Sequence, residues 1–427
     1  MNSESPNPPT PLTPSGAPSG MRNRWRTLLI FFSVVGPGII TANVDNDAGG
    51  ITTYSVCGAT YGLSMTWSLI PICIALIVVQ EMSCRLPIVT GKGLADLIRE
   101  QWGVRITFYL LLALVVTNLG NILAEFSGVA WALDIFKIPP FVSVPLSAIF
   151  VWALVVKGTY GSVEKVFLAA CVFYLCYIIS GFMVPWEWPK PTVSAPAHST
   201  SQYLFMLIGV VGTTIAPWMQ FYQQSSIVEK GLRPDRLRYS QIDVITGCVV
   251  VNVVAFFIIF VCAETLFLKG ITIETAGEAA KALQPLAKQF CSILFSFGLL
   301  NASLFAASIL PLSTAYTVCE GFGWESGVNK KFAEAPGFYG LYTFLIILGT
   351  MVMFVPVKKL VFLMLLSQVL NGVLLPVTLI SVVLLINNKR LMGPYINGPI
   401  MNIIAWATAV IMSVLSILLV LSGIGLI

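Results

Sequence analysis

Residues 28–57 form a long apolar segment, and Asp45-Asn46-Asp47-Ala48-Gly49-Gly50 interrupts its middle. No other feature constrains the fold as strongly. A carboxylate near the bilayer centre costs about 2.5–3.5 kcal/mol on insertion scales, and paired glycines loosen a helical ladder. A continuous membrane helix has no use for both. A helix broken here does, because its freed carbonyls and side chains line a polar cavity. The net negative charge of such a cavity favours a cation.

The surrounding sequence reads as membrane. Of 427 residues, 57% are hydrophobic and only 10% charged, with mean hydropathy +0.87, which excludes an ordinary soluble domain. Residues 1–20 hold six prolines and no apolar core, so residues 1–27 read as a disordered cytoplasmic tail. Residues 28–427 form the transmembrane domain. Eleven spans are expected, near 28–57, 63–84, 105–136, 141–157, 162–183, 201–228, 239–268, 288–318, 337–355, 358–386 and 400–425. With the N-terminus cytoplasmic, 17 of the 24 basic residues, including all ten arginines, fall on the cytoplasmic side. The outer side then holds Lys137, Lys190, Lys269, Lys281, Lys288, Lys358 and Lys359, and the C-terminus is extracellular. That asymmetry follows the positive-inside rule. The nine cysteines show no metal-ligand spacing and read as packing residues. The single histidine, His198, lies in an expected loop, which leaves little for a histidine proton relay. No nucleotide loop or nucleophile constellation is visible, so an enzyme or a nucleic-acid binder is not expected.

The sixth span is interrupted as well. Gly209-Val-Val-Gly212-Thr-Thr-Ile-Ala216-Pro217-Trp218 carries two glycines and a mid-span proline, which removes a backbone donor. A lone membrane proline is often a simple kink. Here the two interruptions stand five spans apart, the spacing of a five-plus-five inverted repeat whose first helices are unwound around a midplane ion site. The repeats fall at about 28–183 and 201–386, with an additional helix at about 400–425. Elsewhere, residues 89–99 read as a cytoplasmic connector, helical after Gly93. Residues 185–200 read as an outer loop with Trp186 and Trp188. Residues 269–287 read as an amphipathic surface helix around Glu274, Glu278 and Lys281.

Several motifs, in this order, resemble the Nramp family: Gly36-Pro-Gly38 with Asp47-Ala-Gly49 nine residues on, Tyr61-Gly62, Gln80-Glu81-Met-Ser-Cys-Arg85-Leu86, Val89-Thr-Gly-Lys92, Leu123-Ala-Glu125, Ser225-Ser226, Ser367-Gln368-Val369 and Leu391-Met-Gly393. The resemblance runs from about residue 28 to 393. It implies an all-α membrane protein of the LeuT type with broken helices 1 and 6, acting as a secondary transporter of divalent metals. It further implies ion contacts from Asp47, the Val44 and Thr213 carbonyls and the Gln368 amide, and it directs attention to positions 50 and 216.

The departures from the family pattern are informative. The first break usually reads Asp-Pro-Gly-Asn, and here Gly50 replaces the Asn. The second usually reads Met-Pro-His, and here Ala216 and Trp218 flank Pro217. The acid that usually precedes Leu-Ala-Glu is Ile122. This combination resembles the Nramp-related magnesium transporters. A thioether is a soft ligand, whereas Mg²⁺ takes oxygen ligands and keeps its water. Loss of both side chains is therefore expected to widen the cavity for a largely hydrated ion, with Mn²⁺ also admitted. Asp45 points about 200° from Asp47 if helical, so it reads either as an ion contact or as a vestibule charge, and Asn46 shares that ambiguity. Glu125 and Asp243 read as buried acids, Asp243 favouring a structural hydrogen-bond role. Glu81 and Arg85 are expected to pair at i, i+4, and Asn252 and Asn301 to hold helices together. With Ile122 and Trp218 replacing titratable groups, proton coupling is not expected. The expected state is a monomer in a bacterial inner membrane, with no cofactor besides the transported ion. The rival readings are a proton-coupled Mn²⁺/Fe²⁺ carrier, a LeuT-type carrier of organic solutes and a non-transporting sensor.

Overall fold

A computed structural model describes residues 37–158, 165, 175–183, 200–273, 276–283 and 291–423. The expected N-terminal tail, the start of the first span, most of the fifth, the tryptophan-containing outer loop with His198, and Glu274 lie outside the described residues. Those described are overwhelmingly helical, and no strand occurs among them.

The first span is broken, as the Asp-Gly-Gly stretch requires. Helix α1 (Pro37–Asn43) passes through a 3₁₀ turn, Val44–Asn46, and α2 (Ala48–Tyr61) starts afresh. Asp47 adopts an extended backbone and its carboxylate accepts the Gly50 N–H at 2.5 Å, so it serves as the N-cap of α2. Next come α3 (Leu69–Thr90), α4 (Leu94–Asp134), α5 (Pro140–Val156) and α6 (Leu175–Met183). Helix α4 begins just after Gly93, as expected, and Gly103, at φ 80°, separates its connector portion from the long span. The second break follows α7 (Thr200–Thr214), and α8 (Pro217–Lys230) restarts with Pro217 at its first position, where a missing N–H costs nothing. Thereafter run α9 (Leu237–Thr265), α10 (Cys291–Phe322), α11 (Pro336–Gly349), α12 (Leu360–Ile386) and α13 (Pro399–Gly423). Among the described residues eight helical stretches are long and apolar enough to cross a membrane, with α5 a shorter apolar helix. Of the surface helix expected at 269–287, the described residues show an α-helical turn at Ala276–Ala280 and a 3₁₀ turn at Lys281–Leu283, and Lys269–Ile273 is not α-helical.

Packing divides the helices into two groups that meet at the breaks. Helix α9 packs on α1, α2 and α3, and α3 also meets α8. Helix α4 packs on α10 and α12, while α12 reaches across to α7 and α13. The outward faces of α5 and α13 stay apolar at Leu146, Ile149, Ile403 and Val410, as lipid contact requires.

Asp243 anchors α1 to α9. Its carboxylate accepts the Gly38 N–H at 2.8 Å and the Ile39 N–H at 3.4 Å, satisfying orphan donors at the start of α1. A methyl group at position 38 would strike Asp243 and the Val244 backbone, so only glycine permits this approach. The structural role expected of Asp243 is the one observed. Asn252 does not bridge helices through its amide nitrogen, which bonds the Cys248 carbonyl of its own helix at 2.9 Å.

Glu81 and Arg85 form the expected i, i+4 ion pair at 2.9 Å, largely buried. Arg85 also donates to the carbonyls of Tyr395 and Ile396, each at 3.1 Å, and to Asn397, while Gln241 donates to Glu81 at 2.7 Å. One ion pair thus ties α3, α9 and the segment before α13. Arg85→Met leaves Glu81 buried without its cation and is expected to destabilise the fold by about 3–5 kcal/mol, the usual cost of breaking a buried pair. Thermal unfolding of the purified variant measures this; an unshifted transition would show the network to be dispensable.

Candidate cation site at the two helix breaks

The breaks face each other. Tyr54 of α2 and Thr214 of α7 share a 2.7 Å hydrogen bond between their hydroxyls, and the Thr213 hydroxyl lies 3.5 Å from the Asp45 carbonyl. Pro217 explains why Thr213 presents a free backbone oxygen: the N–H that an unbroken helix would supply to it belongs to residue 217, which has none. The corresponding donor for Val44 is the Ala48 N–H, which goes instead to Glu125 at 3.2 Å. The C-terminal ends of α1 and α7 thus bring partial negative charge to the break.

Asp47 and Glu125 are both buried, and their carboxyl groups lie close enough to interact electrostatically. Two like charges so placed repel, and a cation between them relieves the repulsion. Glu125 Oε1 has no hydrogen-bond partner among the described residues. Helix α12 closes the other side. Gln368 lies against Gly49, where a Cβ would run into its amide nitrogen and approach Asp47 Oδ1. The Gln368 oxygen already accepts Asn371 Nδ2 at 3.0 Å, and Asn371 exchanges bonds of 2.9 and 3.0 Å with Asn121 of α4. As placed, Gln368 turns its nitrogen to the break, so ligation through its oxygen requires the amide to rotate.

Asp45, Asp47, Thr213 and Gln368 therefore converge, with Val44 buried on the turn between them and Ala216 buried at the second break. One expectation needs correction. Gly50 does not leave room: a Cβ there would collide with the Asp45 carbonyl and come within 3.1 Å of the Thr213 hydroxyl. Backbone occupies the volume that a side chain would need. Ile122 is fully buried and turns to α11, where Gly349 accommodates it beside Phe126. Trp218 is buried in the first turn of α8 near Tyr222, and its carbonyl accepts the Ser313 hydroxyl at 3.3 Å. Neither position offers an ionisable group.

Sequence reasoning did not single out the carboxamide chain behind Gln368. Its signal was present: Asn118, Asn121 and Glu125 recur on one face of α4, and Asn371 follows Gln368 at helical spacing. It also passed over Glu320, which accepts the Ser225 hydroxyl at 2.5 Å and joins α8 to α10. Among the described residues no group of three His, Cys, Asp or Glu side chains could hold a metal, so any ion here depends on backbone, amide and water oxygens besides a carboxylate.

Known proteins are similar to this chain in sequence and fold. The chain is 26% identical over 95% of its length to a divalent metal cation transporter MntH of Acidiphilium cryptum, covering 93% of that protein. It is 25% identical to the Bacillus subtilis protein of the same name, covering 93% of each. Its fold matches the manganese transporter of Eremococcus coleocola, with TM-score 0.73 at 20% identity over 95% of this chain and 88% of that one. A nucleobase-cation-symport-1 family transporter matches at TM-score 0.56 and 13% identity, covering 91% of this chain and 93% of that one. The all-α architecture with helices 1 and 6 broken is thus a LeuT-type transporter fold and not that of an enzyme. The model of the natural resistance-associated macrophage protein-like family matches residues 38–422, and the chain belongs to the Nramp family.

Proposed function

We propose that this protein carries divalent cations across a membrane by alternating access, that Mg²⁺ crosses it largely hydrated, and that Mn²⁺ is accepted as well. The relatives named as divalent metal cation transporters support the broader statement. The narrower one rests on a single observation: the converging groups at the breaks are oxygens and amides, with Ala216 where a thioether would select soft metals. Mg²⁺ sheds water reluctantly, and carbonyls with few charged ligands suit an ion that keeps much of its shell. The proposed contacts are Asp47, the Val44 and Thr213 carbonyls, and Gln368 after its amide rotates. Ala216 contributes by bearing no competing side chain, and Gly50 by letting the Asp45 carbonyl approach.

Transport in this reading needs no proton. Ile122 and Trp218 leave no titratable group at either position, and a membrane potential suffices. A divalent ion moving into an interior negative by 100 mV gains about 4.6 kcal/mol, which offsets a concentration ratio of roughly three decades. In the orientation proposed, the N-terminus faces the cytoplasm. Proteoliposomes with a Mg²⁺-sensitive dye, a clamped potential and a parallel pH dye provide the test. Mg²⁺ entry without acidification is expected. Entry of Mn²⁺ alone, with acidification in step, would overturn the proposal in favour of proton-coupled manganese transport.

A further inference from the structure

A cleft of about 270 Å³ runs between α3, α7 and α13. Ile72 and Ala75 of α3, Val211 and Ile215 of α7 and Met412 of α13 are buried along it. Trp67, in the turn before α3, and Ile411 of α13 stand exposed at its edge. The cleft offers nothing to water. Ser68 and Thr408 are its hydroxyl-bearing residues, and both hydroxyls are spent locally: Ser68 donates to the Met65 carbonyl at 2.7 Å and Thr408 to the Ile404 carbonyl at 2.8 Å. A buried water needs about two to four polar partners, and an apolar gap left empty forfeits dispersion contacts along its whole lining. An apolar occupant answers both.

Place and shape narrow the choice of occupant. All three walls belong to helical stretches long and apolar enough to cross a membrane. The edge of the cleft continues into apolar surface, exposed at Ile70 and Ile74 of α3 and at Val410 and Val414 of α13, where lipid is the solvent. Trp67 to Ala75 and Leu207 to Ile215 each cover about 12 Å of helix, so the cleft fits within the hydrocarbon of one leaflet, about 15 Å deep. A volume of about 270 Å³ over that length is too slender for a helix about 10 Å across, whether from a second copy or from another protein. It suits an alkyl chain.

We propose that the cleft binds one acyl chain of a membrane lipid, seated between α3, α7 and α13 with its terminal methyl toward the second helix break. Trp67 marks the headgroup end, where an indole is at home in the membrane interface. Ile215 marks the other end, directly before Ala216 and Pro217. The chain bears on Val211 and Ile215, which flank Thr213 on α7, so lipid touches the half-helix that carries a proposed ion contact. The inference goes beyond the transport reading and does not depend on which ion is carried.

The full chain in liposomes containing a phospholipid with a diazirine near the end of one acyl chain provides the test. On illumination, label is expected on the buried Ala75, Val211 and Ile215. Ala75→Phe, which fills the cleft from α3, should lose the label from Val211 and Ile215. Thr408→Phe fills it from α13 and should give the same loss, an independent check should Ala75→Phe fail to fold. Label confined to the outward-facing Ile70, Ile74, Val410 and Val414 would overturn the site, and so would label at Ile215 that neither filling variant removes. Ile215 and Ile411 both escaping label would mean that protein, such as a second copy of the chain, covers the cleft, and would equally overturn it.

Discussion

Asp47→Asn should eliminate transport of both Mg²⁺ and Mn²⁺ while leaving the folded protein intact. The substitution separates two jobs that one side chain performs. As N-cap of α2, Asp47 accepts the Gly50 N–H at 2.5 Å, and asparagine caps a helix about as well as aspartate. The break therefore keeps its geometry. What disappears is the charge beside Glu125. At an effective dielectric of about 20, a unit charge 4 Å from a divalent ion contributes roughly 8 kcal/mol. Even a fifth of that, after desolvation, exceeds a tenfold change in occupancy. Flux is expected to fall at least ~100-fold, with thermal stability changed by less than about 1 kcal/mol. Asp47→Ala should also stop flux but additionally lose the cap, costing about 1 kcal/mol of stability. Flux and melting measured on both variants provide the check. Asp47→Asn transporting at wild-type rate would remove Asp47 from the ion path.

The carboxylates and breakers that shape the fold were legible because a membrane makes them conspicuous. Asp45 and Asp47 in an apolar run and Pro217 in mid-span predicted both breaks, and each break formed by the chemistry its residues imply, a side-chain cap in one and a missing donor in the other. Glu81 and Arg85 were legible because their partnership is local. What stayed hidden depends on the distance between elements remote in sequence. Nothing in the local sequence says that the Asp45 carbonyl presses on Gly50, or that the Gln368 oxygen is taken by Asn371. An absent side chain reads as empty space in a sequence. In a packed core, backbone moves in to fill it. That difference separates the two glycine-or-alanine positions of the site.

Ala216→Met, made alone, should therefore shift selectivity toward Mn²⁺, whereas Gly50→Asn should disable the protein. Position 216 caps α8 with an extended backbone, φ −75° and ψ 140°, which any L-residue adopts, and no side chain is needed to hold that cap. A methionine there keeps that backbone and, extended into the break, would place a thioether among the oxygens. Sulfur suits Mn²⁺ better than Mg²⁺, and it displaces water that Mg²⁺ gives up reluctantly. Mg²⁺ flux should fall about tenfold or more, equivalent to ~1.4 kcal/mol, while Mn²⁺ flux is kept. Position 50 offers no such entry. Even the first carbon of a side chain meets the Asp45 carbonyl, a backbone atom that can retreat only by moving the turn that carries Asp45, Asn46 and Asp47. Overpacking of this kind costs about 1–3 kcal/mol, and the displaced turn carries the charge proposed to bind the ion. Gly50→Ala, which adds only that carbon, should impair flux of both ions alike. Paired Mg²⁺ and Mn²⁺ flux on the three variants distinguishes the cases. If Gly50→Asn were active with a Mn²⁺ preference, the turn would be pliant, and the fixed approach of Asp45 to Gly50 would not be what shapes the site.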